Sequence, residues 1–439
     1  MPPNRQSYQI NAHHATRNCL LFVSGGFGWA SRVFELPTAV AMIATLTIAG
    51  DARVTAKFAA RVADIEPFRV VEVLTRAKQL ASQGRDIVHM AAGEPDFATA
   101  EPIVDAAVKA LRCGQTHYTP AVGIPELREA ISDYYRSDYG LDISPERIVV
   151  TPGASGALLL LSALLMAPGE GMLMADPGYP CNRHFLRLVE GEGQLVPVGP
   201  QDRFQLNAAL AEAAWQRNTS GVIVASPANP TGEILSRSQL QGLHELCQRR
   251  GGHLIVDEIY HGLSYNGAAP SILSITDDAF VINSFSKYFG MTGWRLGWIV
   301  APEAAVPELE KMAQNFFISP STVAQYAALA AFLPETRRIL DRRREELVQR
   351  RDFLYPALTA LGFDIPHKPE GAFYLYAGID KFEQSTEAFC LQLLEEHGIA
   401  ITPGIDFGKH NAQRHVRFAY TTSMAQLEKA VARLEALYS

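Results

Sequence analysis

The chain has 439 residues, 48% hydrophobic and 19% charged, with 46 acidic against 39 basic side chains and a net charge of −7. That length holds roughly two to three domain-sized units, and the acidic balance gives no electrostatic case for a nucleic-acid partner. Five cysteines (Cys19, Cys113, Cys181, Cys247 and Cys390) are odd in number and too scattered for a metal cluster or a disulfide framework, which points to a reducing, cytoplasmic setting.

Residues 1–55 differ in texture from the rest of the chain. They mix His13, His14 and Asn18 with short apolar runs such as Leu20 to Val23. The longest run, Thr38 to Ala49, is shorter than the ~20 residues of a membrane span. A signal peptide would place its apolar run nearer a basic start and a small-residue cleavage site. Val54 is what a GTG start codon encodes when read as internal. Residues 1–53 are therefore expected to come from an upstream start and to lie outside the working enzyme. A chain beginning at position 54 is expected to be as active and at least as soluble as the full one. The alternative is an extension that arms a dimer or targets an envelope; a truncation that destroyed dimerisation would favour it.

From Asp64 the pattern becomes regular. Pro67 opens a helix with Val70, Val71, Leu74, Ala77 and Leu80 on one face, stopped by Gly84. Ile87 to Met90 reads as a strand, leading to the turn Ala92-Gly93-Glu94-Pro95-Asp96, whose glycine lets backbone approach a ligand. A helix over Pro102 to Leu111 is followed by the loop His117-Tyr118-Thr119-Pro120. The next helix has Leu127, Ile131 and Tyr134 inward and ends at Gly140.

Strands and helices then alternate. Arg147 to Val150 is a strand, Thr151 to Gly156 a small-residue turn and Ala157 to Leu165 an apolar helix. Strands at Gly171 to Ala175, Gly221 to Ala225 and His253 to Val256 end at Asp176-Pro177-Gly178-Tyr179, Asn229-Pro230-Thr231-Gly232 and Asp257-Glu258-Ile259-Tyr260. Ser236 and Gln239 form a capping box for the helix that Gly251-Gly252 stops. Phe280 to Asn283 and Trp298 to Val300 are further strands. Such alternation specifies an open, mostly parallel α/β sheet sandwiched by helices, with ligands beyond the carboxyl ends of its strands. After Ser319-Pro320-Ser321 comes a second, smaller α+β part. It has a charged helix from Thr336 to Leu361, a strand and hairpin around Gly371-Ala372-Phe373-Tyr374, and a helix over Thr386 to His397. The turn Thr402 to Gly408, a strand His415 to Ala419 and a terminal helix capped by Ser423 and Gln426 complete it.

Ser284-Phe285-Ser286-Lys287 stands out, because a cation at the end of an apolar strand is costly to desolvate unless used. Burial lowers a lysine's pKa, and the neutral amine forms Schiff bases with carbonyls. Around it the strand ends gather a carboxylate (Asp257), hydrogen-bonding groups (Tyr260, Asn229) and an anion cup (Ser155, Ser284, Arg295). The turn after Val150 opens a helix whose amides would face a phosphate. Schiff-base lysine, carboxylate for a ring nitrogen and phosphate cup together describe a pyridoxal phosphate site.

On Ala154-Ser155-Gly156-Ala157, Asn229-Pro230-Thr231-Gly232, Asp257-Glu258-Ile259-Tyr260, Ser284-x-Ser286-Lys287 with Arg295, and Val416-Arg417, in that order, the chain resembles the fold-type I pyridoxal-phosphate aminotransferases of class I/II. The likeness runs from about Asp64 to the C-terminus. It implies small-domain segments at 56–100 and 330–439 flanking a large cofactor-binding domain at 101–329, with 1–55 outside the fold. It also implies pyridoxal 5'-phosphate as cofactor, amino acid and 2-oxo acid as substrates, no metal, and a homodimer with shared active sites. Lys287 would carry the cofactor and shuttle the substrate proton, and Asp257 would keep the ring nitrogen protonated. Asn229 and Tyr260 would bond the ring 3-hydroxyl, and Tyr179 would stack on the ring. Ala154, Ser155, Ser284 and Arg295 would hold the phosphate, with Tyr118 from the neighbouring subunit. Arg417 would grip the substrate carboxylate, near Asn229 and the Gly93 backbone. His117 and His253 read as structural.

Other readings remain open at this stage. Gly153-Ala154-Ser155-Gly156-Ala157 approaches the nucleophile elbow of a serine hydrolase, but Ala157 replaces its last glycine and the lysine, Asp257 and Arg295 would then lack a purpose. A ligand-sensing domain of a transcription regulator would need a basic winged helix upstream, for which residues 1–55 are too short and apolar. A β-lyase or an α-oxoamine synthase would share fold and cofactor; Arg417 and the Gly93 turn favour transamination. Phe97, Tyr118 and Phe373 suit apolar or aromatic substrate side chains.

Overall fold

The computed structural model describes residues 58–382 and 384–438. The expectations for residues 1–53 lie outside them. The N-terminal part runs α1 (Arg69–Ser82), β1 (Val88–His89), α2 (Glu101–Arg112) and α3 (Pro125–Tyr139). Helix α1 has no capping side chain of its own. Asp406, far along the chain, accepts the amides of Arg69 (2.9 Å) and Val70 (3.3 Å) and so caps it.

The alternating stretch forms β2 (Ile148–Thr151), α4 (Gly153–Leu165), β3 (Gly171–Asp176), α5 (Cys181–Leu188), β4 (Glu192–Pro197) and α6 (Ala208–Ala214). It continues with β5 (Thr219–Ala225), α7 (Arg237–Arg250), β6 (His253–Asp257), β7 (Phe280–Ser284) and β8 (Gly297–Val300). The capping box at α7 is made as the sequence specifies, with Ser236 Oγ accepting from Gln239 N and Gln239 Oε1 from Ser236 N. The seven strands lie in the order β2-β8-β7-β6-β5-β3-β4, and β8 alone runs against the rest. The apolar runs alternate faces, as a sheet covered on both sides requires. Leu173, Val222, Val224, Val256 and Val281 pack beneath α3, α7 and α10 on one face. Met172, Ile223, Ile255, Ile282 and Ile299 pack beneath α4 and α8 on the other.

The remainder comprises α8 (Val306–Phe316), α9 (Thr322–Leu329), α10 (Pro334–Ala360), β9 (Tyr374–Gly378), α11 (Thr386–Glu395), β10 (Ile399–Ala400), β11 (Thr402–Pro403), β12 (His415–Ala419) and α12 (Met424–Tyr438). Strands β11, β12 and β9 form an antiparallel sheet, and β1 pairs in parallel with β10, joining chain segments over 300 residues apart. Among the described residues no helix is long and apolar enough to cross a membrane.

Several elements depart from the sequence reading. The turn expected before Ala157 is already helical from Gly153. Strand β4 is a polar edge strand ending in proline, which an edge tolerates because its N–H side needs no ladder partner. Helices α5 and α6 are only eight and seven residues long, about two turns, too short for a 3.6-residue stripe to repeat, and the alanine-rich α9 has little contrast between its faces.

Candidate active site

Six of the seven strands point the same way, so their carboxyl ends share one edge of the sheet. Asp257 closes β6, and Tyr179, Asn229 and Lys287 follow the ends of β3, β5 and β7. Arg295 reaches the same edge because β8 is reversed: its beginning lies where its neighbours end. The chain passes Gly153 with φ +70° to start α4, and a Cβ there would lie 2.6 Å from Arg295 Nη2. Glycine at 153 therefore serves both the backbone turn and the approach of a guanidinium to the amino end of a helix. Ala154 and Ser155 are the next residues of α4, with Ser155 exposed. Ser284 is buried; its hydroxyl donates to Leu296 O (3.1 Å), pairs with that of Ser286 (3.0 Å) and accepts the Ser286 amide. Backbone amides and the Ser155 hydroxyl at a helix start, with an arginine beside them, are a donor set for a phosphate, whereas the Ser284 hydroxyl would have to turn from Leu296 O to join it.

Lys287 Nζ donates to Gly93 O at 2.8 Å and stands 6.0 Å from the ring centres of Tyr260 and Phe373. Burial lowers its pKa to about 8, with the Glu94 carboxylate opposing the shift. Asp257, at the end of β6, is 4% exposed. Its carboxylate accepts the Ile259 amide (3.0 Å). Burial pushes it up to about 6, and that amide and the Lys287 charge only partly offset the penalty. A buried carboxyl so poorly compensated suits a cation beside it, as a protonated pyridine nitrogen would be. Tyr179 follows Asp176, whose carboxylate accepts the amides of Lys409 and His410 and so fixes this turn. Burial raises the Tyr179 phenol well above its ordinary range, and the Cys181 thiol lies against it.

Arg417, on β12, is buried at 2% exposure. Its Nη1 donates to Asn229 Oδ1 (2.8 Å) and its Nη2 to Ala91 O (2.8 Å) and Thr402 Oγ1 (3.3 Å). Its Nε is buried with no hydrogen-bond partner among the described residues. The guanidinium is held between aromatic faces, 4.2 Å from the Tyr374 ring centre and 4.7 Å from that of Phe407. The Tyr260 hydroxyl pairs with that of Tyr374 at 2.8 Å. Tyr118 stands apart, 83% exposed, on a loop tied to α9 through Thr322 Oγ1 and His117 O.

The structure thus gathers Gly93, Tyr179, Asn229, Asp257, Tyr260, Lys287 and Arg417 about one centre, with Ala154, Ser155, Ser284 and Arg295 at the end where α4 begins. Tyr118 alone of the expected residues is not brought to it. Sequence reasoning missed Tyr374, Phe407, Thr402 and Ala91. Tyr374 carried a readable signal: β9 and β12 alternate faces, which puts it on the side of Arg417. The contacts of Thr402 and Ala91 depend on a pairing no local pattern announces.

A family model described as aminotransferase class I and II matches residues 85–434. The valine–pyruvate aminotransferase of Mycobacterium tuberculosis is 38% identical over 374 residues, spanning 85% of this chain and 96% of that protein. The aspartate aminotransferase of Geobacillus stearothermophilus is 34% identical over 388 residues, spanning 86% and 98%. A crystal structure of an aminotransferase from Mycobacterium tuberculosis superimposes with a TM-score of 0.84 at 37% identity, covering 88% of this chain and 99% of that one. That of Thermus thermophilus aspartate aminotransferase with maleate gives 0.82 at 34%, covering 87% and 99%. The fold is therefore that of a fold-type I pyridoxal-phosphate enzyme. Within that class, the chain belongs to aminotransferase class I and II, and it is an aminotransferase using pyridoxal 5'-phosphate.

Proposed function

We propose that this aminotransferase works in cytoplasmic amino-acid metabolism, moving the amino group between an L-amino acid with an apolar or aromatic side chain and a 2-oxo acid. The observation that carries the reading is Arg417, a buried guanidinium clasped by Tyr374 and Phe407 with a spare Nε–H. It suits one carboxylate, and Phe373 lines the approach to Lys287. The 38% identity to a valine–pyruvate aminotransferase supports it further.

The cofactor, when bound, supplies a carbonyl that condenses with amines and a ring that takes up the electrons left when the substrate loses its α-proton. The α4 amides of Ala154 and Ser155, with Ser284 and Arg295, would hold the phosphate. Asp257 would keep the proton on the ring nitrogen. Asn229 and Tyr260 would hydrogen-bond the ring 3-oxygen, and Tyr179 would cover one ring face. Arg417 orients the substrate by its α-carboxylate, aided by Asn229 and the Gly93 backbone. Lys287, with an amine titrating near 8, serves as nucleophile and as the base that removes the α-proton and returns it on the other side of the transfer.

A panel of L-amino acids against pyruvate, 2-oxoglutarate and oxaloacetate tests the substrate class. Valine, leucine or phenylalanine should show the highest kcat/KM as donor. Aspartate or glutamate as the preferred donor, with apolar ones inert, would overturn it.

The same reading includes a homodimer in which Tyr118 of one subunit reaches the phosphate of the other. Its support is exposure: Tyr118, Phe316 (52%) and Ile318 (54%) leave apolar surface bare on this chain. Mixing inactive Tyr118 and Lys287 variants should restore some activity through hybrid dimers. A fully active monomer would refute it.

A further inference from the structure

Tyr374 touches three parts of the site at once. It is 1% exposed. Its ring centre lies 4.2 Å from the Arg417 guanidinium carbon, its hydroxyl 2.8 Å from that of Tyr260, and a Cβ on Gly93 would come within 2.7 Å of that hydroxyl. Its placement is built in. Arg417 pairs with Tyr376 and Ala419 with Tyr374, so Tyr374 and Arg417 are diagonal neighbours on one sheet face. Just before it, Ala372 takes a left-handed φ of +56°. That turn is pinned on both sides: Ala372 N donates to Leu263 O at 3.0 Å, and its carbonyl accepts the Tyr265 hydroxyl. A strained backbone held this firmly serves to aim the side chains that come after it.

We propose that Tyr374 is a positioning residue with two separable actions, one through its ring and one through its hydroxyl. The inference rests on the roles given above to Arg417 and Tyr260. The ring forms one wall of the clasp that keeps the Arg417 guanidinium oriented for a carboxylate. The cation against that ring also makes the Tyr374 O–H the better donor of the two phenols. Tyr374 therefore donates and Tyr260 accepts, which leaves the proton of Tyr260 free for the cofactor's 3-oxygen and strengthens it as a donor. A strong donor there stabilises the anionic 3-oxygen, so the bound cofactor changes colour at a lower pH than it otherwise would.

The test is a pair of variants of the holoenzyme read by visible absorbance against pH and by steady-state kinetics with a donor amino acid. Tyr374→Phe keeps the ring and removes the hydroxyl. It should raise the midpoint of the spectral titration by about half to one pH unit and leave KM within about twofold. Tyr374→Leu should show the same spectral shift and also raise KM, roughly tenfold. An unchanged midpoint in Tyr374→Phe would overturn the hydroxyl action. An unchanged KM in Tyr374→Leu would overturn the ring action. A fall in kcat and thermal stability with both readouts unmoved would mean packing alone, and overturn both. Arg417→Lys is the control for the underlying reading. If it leaves KM unmoved, the carboxylate role of Arg417 falls and the ring action with it, while the spectral shift still decides the hydroxyl action.

Discussion

Lys287→Ala should lose at least about a thousandfold in turnover while still folding and still binding the cofactor through the phosphate end of the site. Two proposed functions go with one amine: the nucleophile that condenses with the cofactor carbonyl and the base that moves the substrate's α-proton. No other described lysine lies in the site to take over either. The variant should also lose the visible absorbance that a lysine–cofactor bond gives the wild type. The pH dependence follows from the site itself. Burial holds the Lys287 amine near 8, below its ordinary 10.5, so the reactive neutral form grows as pH rises through 8. The rate at which cofactor-free protein captures pyridoxal phosphate should climb over that range. Turnover within tenfold of wild type in Lys287→Ala, measured by steady-state assay, would remove Lys287 from the chemistry.

Asp257→Asn should fold normally and lose about a hundredfold in kcat, the scale of removing one charge-stabilising group. The amide matches the carboxylate in shape and can still accept the Ile259 amide, but it cannot hold a proton on the ring nitrogen by charge. A loss below about tenfold, roughly 1.4 kcal/mol of barrier, would argue against that role. Stability should move the opposite way in the cofactor-free protein. Burial raises the Asp257 carboxyl from 3.8 to about 6, so folding favours its protonated form. That contribution is complete below pH 3.8 and is lost as pH rises through 6, leaving at neutral pH a buried carboxylate that the Ile259 amide and the Lys287 charge only partly compensate. Cofactor-free Asp257→Asn should therefore melt above cofactor-free wild type at pH 7.5, and the gap should close near pH 4. Adding cofactor should narrow or reverse it, because only the wild type gains the ion pair with the ring. A lower midpoint for the variant at pH 7.5 without cofactor would contradict these electrostatics.

Much of this was readable from residues alone, for physical reasons. The strands were legible because a sheet buried on both faces demands apolar runs, and Gly221 to Ala225 or Phe280 to Asn283 cannot be read otherwise. The candidate site residues were legible because the polar groups gather where such runs end: Asp257 after Ile255-Val256, and Lys287 in the turn after Phe280 to Ser284. Less legible were elements whose stability comes from neighbours rather than pattern, such as β4 at the sheet edge. Least legible were the partners that folding brings from afar. Ala91 and Thr402 hold Arg417, and Asp406 caps α1, across separations of more than 300 residues for Ala91 and Asp406. Tyr374 sits between these cases, since its strand is legible in the sequence but the face it shares with Arg417 is set by the β9–β12 register.

Lys287 is the residue proposed to hold the cofactor in this chain. Borohydride reduction of the purified holoenzyme, followed by peptide mapping by mass spectrometry, reads that position directly. The expected result is one pyridoxyl group per chain, on the peptide containing Ser284 to Tyr288, at Lys287. A label on another lysine, or a cofactor that washes away unreduced from an active enzyme, would contradict it.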